Sequence, residues 1–208
     1  MKYLSLFLLL FVPLLSSCQK NQYGIEESSG IPEGLQVGVE APKFQGIDIL
    51  SERPVQLQTL LQDGPLVLLF YRGAWCPVCN RHLSGFQDSI DMIRAVGAQV
   101  IAIGPESKDN ALKTADQSAW KGMVLSDAVG QIMDSYEVSF NVSKAYQRKI
   151  KTFLSADIAE YNDQEEAWLP VPATYIINKQ GVIAWRHFDL NYKNRASVAE
   201  ILKALNNQ

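Results

Sequence analysis

Two hydrophobic periods divide this chain. Residues 66–71 are an unbroken apolar run that begins just after the turn Asp63-Gly64-Pro65. A run of that length bounded by turn signals predicts a central strand buried on both faces. From Pro77 the period becomes helical, with Leu83, Phe86, Ile90 and Ile93 recurring at spacings of three and four and Gly97 as a stop. Upstream, residues 55–57 predict a short strand and 57–61 a brief helix. Residues 100–103 predict a second buried strand, Ser107 the cap of a helix reaching about residue 119, residues 123–125 a short strand and 127–136 another helix. Residues 137–170 carry no clear period. Residues 173–178 and 182–187 flank Lys179-Gln180-Gly181, a hairpin signal, and 197–205 read as a closing amphipathic helix. Strand and helix alternating, then a hairpin, then a helix predicts an α/β domain with a central mixed β-sheet flanked by helices on both faces.

The first residues follow a different pattern. Lys2 precedes an almost wholly apolar stretch, residues 3–15. Thirteen residues are too few to span a bilayer, which takes about 20, so the stretch reads as the core of a signal peptide, residues 1–17. It ends in Leu15-Ser16-Ser17-Cys18, which resembles the bacterial lipobox, where the signal is cleaved before a cysteine whose sulfur carries a diacylglycerol. A buried apolar helix with a chance cysteine is the plainer alternative. The expectation is an exported lipoprotein of the cell envelope, lipidated at Cys18. Residues 18–35, rich in Gly, Ser and Glu, would be a flexible tether to a redox domain at 36–208. The chain has 208 residues and a formal net charge of −3; no basic stripe suits nucleic acid.

That leaves two cysteines, Cys76 and Cys79, in Arg72-Gly73-Ala74-Trp75-Cys76-Pro77-Val78-Cys79. A C-x-x-C pair in an exported protein suits a working redox couple better than a structural framework. The strand-to-helix junction places Cys76 at a helix N-terminus, whose partial positive charge and unpaired N–H groups favour a thiolate. Pro77 suits the first turn, where its missing N–H is not needed. Cys79 falls one turn on, on the same side and deeper, so Cys76 is expected to attack and Cys79 to resolve. Arg72 either adds positive potential or is a solvated loop charge. Trp75 either shields the thiol as a partner-docking aromatic or simply packs. The rival chemistry is half a zinc site with His82 as third ligand, but structural zinc takes four ligands and no second cysteine pair exists. Otherwise His82 is a surface residue of the helix. Glu165 and Glu166 are the candidate acids, or plain loop charges. Pro172, just before a strand, reads on physics alone as a strand-edge proline.

FYRGAWCPVC, residues 70–79, resembles the active-site loop of thioredoxin-fold redox proteins. More closely, it resembles a peroxiredoxin-like branch of the alkyl hydroperoxide reductase/thiol-specific antioxidant family. VGVEAPKF (37–44), IAIGPES (101–107) with VLSD (124–127), and LPVPATYIINKQGVI (169–183) match that branch in order, so the likeness covers about residues 36–206. It implies a thioredoxin-like fold, a peroxidatic Cys76, a cis Pro172 facing the dithiol, and a thioredoxin-like dithiol as electron donor. No cofactor is implied. Typical members carry a threonine three residues before the reactive cysteine and a proline seven before; here Gly73 and Leu69 stand there. Pro172 stands where the peroxide-binding arginine is usual. Two activities are therefore expected in competition. One is hydroperoxide reduction through a Cys76 sulfenic acid resolved by Cys79. The other is thiol-disulfide exchange on exported protein disulfides without a peroxide step. A non-enzymatic binding surface is a third possibility, which the intact cysteine pair disfavours.

Overall fold

The computed structural model describes residues 20 and 22–207, apart from residue 88; Cys18 and the apolar stretch before it lie outside the described residues. In chain order the elements are β1 (Gln45–Ile47), β2 (Pro54–Gln56), α1 (Leu57–Asp63), β3 (Leu66–Phe70), α2 (Pro77–Ser84), α3 (Ile90–Ala95), β4 (Gln99–Gly104), α4 (Lys108–Gln117), β5 (Met123–Ser126), α5 (Gln131–Ser135), β6 (Ser139–Asn141), α6 (Lys144–Leu154), α7 (Ile158–Asn162), β7 (Trp168–Pro170), β8 (Ala173–Ile177), β9 (Ile183–Phe188) and α8 (Val198–Leu205).

The predicted apolar run is the middle of a five-stranded sheet in the order β5-β4-β3-β8-β9. β3 runs parallel to β4, and β4 to β5, while β8 is antiparallel to both β3 and β9. All five residues of β3 are buried because the sheet has a core on each face. Val67, Leu69, Val100, Ala102 and Ile176 point to the side covered by α2, α3, α4 and α8. Leu66, Leu68, Phe70, Ile101, Ile103 and Tyr175 point to the side covered by α1 and α5. This is the mixed sheet flanked on both faces that the pattern predicts. The β8–β9 hairpin also forms as predicted, turning on Gly181 with a positive φ.

Four elements differ from expectation. The helix from Pro77 breaks at Gly85, whose N–H turns back to the carbonyls of Arg81 and His82, and restarts at Ile90. The apolar period survives the break because Leu83, Phe86, Ile90 and Ile93 are all buried against one face of the sheet. The 127–136 helix is only Gln131–Ser135, since Asp127 accepts from the Met133 N–H and Gly130 takes a left-handed conformation. Residues 137–170 hold β6, α6, α7 and β7, with β6 and β7 pairing antiparallel. The period of α6 is faint because Ile150 is its one fully buried residue. Finally, residues 22–35 are docked rather than free. Ile25 is fully buried and bridges Val142, its N–H bonds to the Lys20 carbonyl, and Gly24 O accepts from the Ser143 N–H. One buried isoleucine and a few backbone bonds suffice to hold a segment whose composition reads as a tether.

Candidate active site

Cys76 lies between β3 and α2, in the loop 71–76. Its backbone is extended (φ −94°, ψ 102°), and it caps α2 by accepting the Cys79 N–H on its own Sγ at 3.3 Å. Pro77 occupies the first helical position and is exposed. The turn brings Cys79 under Cys76, and both are free thiols. Cys79 is the deeper sulfur, 0% exposed against 2% for Cys76. The loop before them is clamped from two sides. The Ala74 N–H donates to Glu106 Oε1 at 2.6 Å, and Asn80 Nδ2 donates to the Ala74 carbonyl at 2.8 Å. Gly73 is confined by its own conformation (φ +141°), and a Cβ there would sit 2.6 Å from Trp75 Nε1. A threonine therefore does not fit at residue 73, which accounts for the departure noted in the sequence.

Arg72 is not a solvated loop charge. It is 2% exposed and packed under the aromatic rings of Trp75, Tyr146 and Tyr192, at 5.3, 5.3 and 4.5 Å from their centroids. Its Nη2 donates to Tyr146 Oη at 2.9 Å, and Nε has no partner. Among the described residues no carboxylate lies within ion-pair distance of it. Trp75, 8% exposed, packs on this cation instead of presenting a docking surface. A second guanidinium reaches the site from the segment before α8: Arg195 Nη2 donates to Cys79 Sγ at 3.4 Å. Sequence reasoning missed Arg195, because 116 residues separate it from Cys79 and no local pattern marks it.

These cations redistribute charge between the sulfurs. The helix-start argument places the thiolate on Cys76; in the reduced pair, the hydrogen bond to Cys79 and burial act against it. The hydrogen bond Cys76 gives to Cys79, and burial, push the Cys76 thiol well above its ordinary value. For Cys79, burial pushes upward, but the Cys76 hydrogen bond and the charges of Arg195 and Arg72 outweigh it and bring the thiol down to about 5. The two directions together favour negative charge on Cys79 over Cys76 in the reduced dithiol.

The buried acid is Glu106, not Glu165 or Glu166, which are exposed. Besides the Ala74 bond, Glu106 Oε2 accepts from Thr114 Oγ1 at 2.6 Å. Burial raises its carboxyl to about 7 against those bonds, with the nearby Cys79 charge adding to the rise. His82 is half-buried, edge-on to Phe86, with Nε2 2.9 Å from the Ala196 carbonyl. Burial lowers its pKa to about 4, so at neutral pH the ring is uncharged and donates that bond. It ties α2 to the segment that carries Arg195. Pro172 is trans, since the described residues contain no cis peptide bond. Nor is the backbone of residue 171 open to a substrate strand: the Val171 N–H donates to the Val138 carbonyl at 2.7 Å, extending the β6–β7 pairing. Pro172 does lie at the site, for it lines a cavity of about 10 Å³ with Arg72, Val171, Leu190 and Tyr192. That is room for about one water-sized molecule. A cavity of about 700 Å³ flanked by Glu33, Asp134 and Glu137 does not touch the cysteines.

Fold and site together define a thiol redox protein of thioredoxin-like fold. The chain belongs to the AhpC/TSA family, whose model matches residues 37–186. A putative peroxiredoxin of Mycobacterium tuberculosis is 32% identical over 85 residues, 41% of this chain and 55% of that protein, so the chain spans about half the length of this curated relative. The thiol:disulfide interchange protein DsbE of Yersinia pestis is 26% identical over 90% of this chain and 82% of its own. Among solved structures, peroxidoxin BcpB of Mycobacterium tuberculosis superposes with a TM-score of 0.62 at 21% identity, covering 83% of this chain and 95% of its own. The reduced 2-Cys peroxiredoxin of Plasmodium vivax gives 0.63 at 20%, covering 83% and 81%. At these identities the structural likeness concerns the fold.

Two expectations follow. Glu106 has a folded pKa above its unfolded one, so its contribution to stability is complete below about pH 4.5 and lost as pH rises through about 7. Glu106→Gln should remove that loss, gaining about 2–3 kcal/mol on the wild type between pH 4.5 and 7.5 in denaturant melts. Arg195→Met should raise the lower thiol ionisation by about 1–3 pH units, read from thiolate ultraviolet absorbance, while Arg195→Lys should restore most of it.

Proposed function

We propose that this protein reduces small hydroperoxides through Cys76, with Cys79 as resolving thiol and a thioredoxin-like dithiol as electron donor. The observation that carries this reading is the buried, carboxylate-free guanidinium of Arg72 beside the two sulfurs. A buried guanidinium without a carboxylate keeps its donors and charge available to the dithiol and to negative charge that develops beside it. The leaving oxygen of a peroxide develops such a charge as the O–O bond breaks, and a fixed donor in a dry site stabilises it strongly. Arg72 would thereby do the work of the arginine that Pro172 replaces.

The steps balance as follows. Cys76 passes its proton to the Cys79 thiolate, its Sγ attacks the terminal peroxide oxygen, and the O–O bond breaks. The leaving alkoxide or hydroxide takes a proton from solvent to depart as alcohol or water, with Cys76 left as a sulfenic acid. The Cys79 thiol then condenses with the sulfenic acid, releasing water and forming the Cys76–Cys79 disulfide. A donor dithiol supplies two electrons and two protons to reopen it. Arg195, by favouring the Cys79 thiolate, makes Cys79 the better leaving group in that reduction and directs the donor to Cys76.

Exchange on protein disulfides is the second reading, favoured by the C-x-x-C spacing and by the likeness to DsbE over 90% of the chain. Against it, both sulfurs are almost fully buried and the Val171 N–H is already bonded within the fold. These features admit a small peroxide more readily than an extended peptide.

The N-terminal sequence supports export and lipidation at Cys18, so we place the protein at a membrane surface of the cell envelope. Among the described residues no helix is long and apolar enough to cross a membrane.

Steady-state assays with hydrogen peroxide and a dithiol should give turnover far above that of a free thiol. Cys76→Ser should abolish it, Cys79→Ser should stop at the sulfenic acid, and Arg72→Met should lower kcat/KM about 100-fold or more. Turnover on a protein disulfide but not on peroxide would reverse the ranking of the two readings. A fatty-acid analogue should label the wild type but not Cys18→Ala; label that persists in the variant would refute the anchor.

A further inference from the structure

The docked N-terminal segment has a geometric consequence for any lipid at Cys18. Lys20 is tied to the docked segment: its carbonyl accepts from the Ile25 N–H at 2.9 Å and its Nζ donates to the Glu27 carbonyl at 2.7 Å, while the Glu26 N–H bonds to the Asn141 carbonyl and Ile25 bridges Val142. Two residues of chain reach at most about 7 Å. A lipid at Cys18 would therefore emerge on the domain surface itself, beside Lys20, instead of at the end of a long tether.

The surface at that point is distinctive. Gln22 and Tyr23 form one wall of a cleft of about 430 Å³, and α6 with the 191–193 segment forms the rest. α6, KAYQRKIKTFL, carries four basic residues and no acidic one, and Phe153 on it is 77% exposed with Leu154 38% exposed. Lys149 and Lys193 line the cleft beside Phe153. Basic side chains around a bare aromatic form the combination that lies on anionic lipid headgroups. That lining includes Tyr146 and Tyr192, the rings packed on Arg72.

We propose that the α6 face lies on the anionic phospholipid surface from which the chain hangs, so that the cleft leading to Arg72 and the dithiol opens toward the bilayer. This rests on lipidation at Cys18. The arguments for a lipid occupant are the short chain length between anchor and docked segment, and the charge complementarity of α6.

The test uses the full, acylated chain on vesicles of phosphatidylglycerol and phosphatidylcholine, with hydrogen exchange as the readout and the non-acylated Cys18→Ala protein in solution as reference. Amides of residues 144–154 and 189–193 should exchange at least several-fold more slowly on the vesicles, while those of α5, away from this cleft, stay unchanged. Lys149→Glu combined with Lys193→Glu should abolish the slowing although the lipid still anchors the protein. Absence of fatty-acid label on the wild type would refute the anchor itself. An anchored protein whose α6 exchanges as in solution would overturn the proposed orientation and leave the anchor standing. Slowing without vesicles that grows with protein concentration would assign the face to a second copy and also overturn the proposal.

Discussion

The site is organised around the problem of keeping a guanidinium out of water with no carboxylate to balance it. Arg72 has three aromatic faces, one phenol oxygen and two sulfurs around it. Ring faces attract a cation but carry no net charge. The dithiol is the nearby group able to hold compensating charge, and Arg195, reaching the Cys79 sulfur, favours that charge there. Two arginines far apart in the chain thus add to burial and the Cys76–Cys79 hydrogen bond in setting the ionisation of the thiols.

That balance holds only if the sulfurs cannot move. The loop 73–76 has little freedom: Glu106 holds one side of Ala74 and Asn80 the other, and Gly73 fits where a side chain would meet Trp75. Glu106 is itself a buried acid whose charge opposes that of Cys79. Its carboxyl near neutrality lets it accept the Ala74 and Thr114 bonds without placing a full second negative charge beside the dithiol. His82, neutral through burial, fastens α2 to the segment bearing Arg195. Gly73 and Pro172, which stand where the resemblance leads one to expect the threonine and the arginine, both lie at this site, with the Arg72 guanidinium four residues before Cys76.

The same arrangement links the site to the N-terminal segment. Tyr146, which bonds to Arg72, also packs against the docked chain, for a Cβ at Gly24 would meet its ring at 2.3 Å. Residues of the docked N-terminal segment therefore belong to the environment of the site.

How much of this was legible in the sequence follows from the range of each interaction. The β3 strand, the junction that places Cys76, the proline at the first helical position, the depth of Cys79 and the β8–β9 hairpin depend on residues within a few positions of each other. Period and spacing determine them, and the C-x-x-C pair with its flanking segments identified the family. Burial of Arg72, the reach of Arg195 to Cys79, the role of Glu106, the trans peptide at Pro172 and the docking of Ile25 depend on segments far apart in the chain. A sequence pattern records which groups are present but not which of them lose water together. Charge on a thiol is decided by that shared loss of water, and so the tertiary structure alone could assign it.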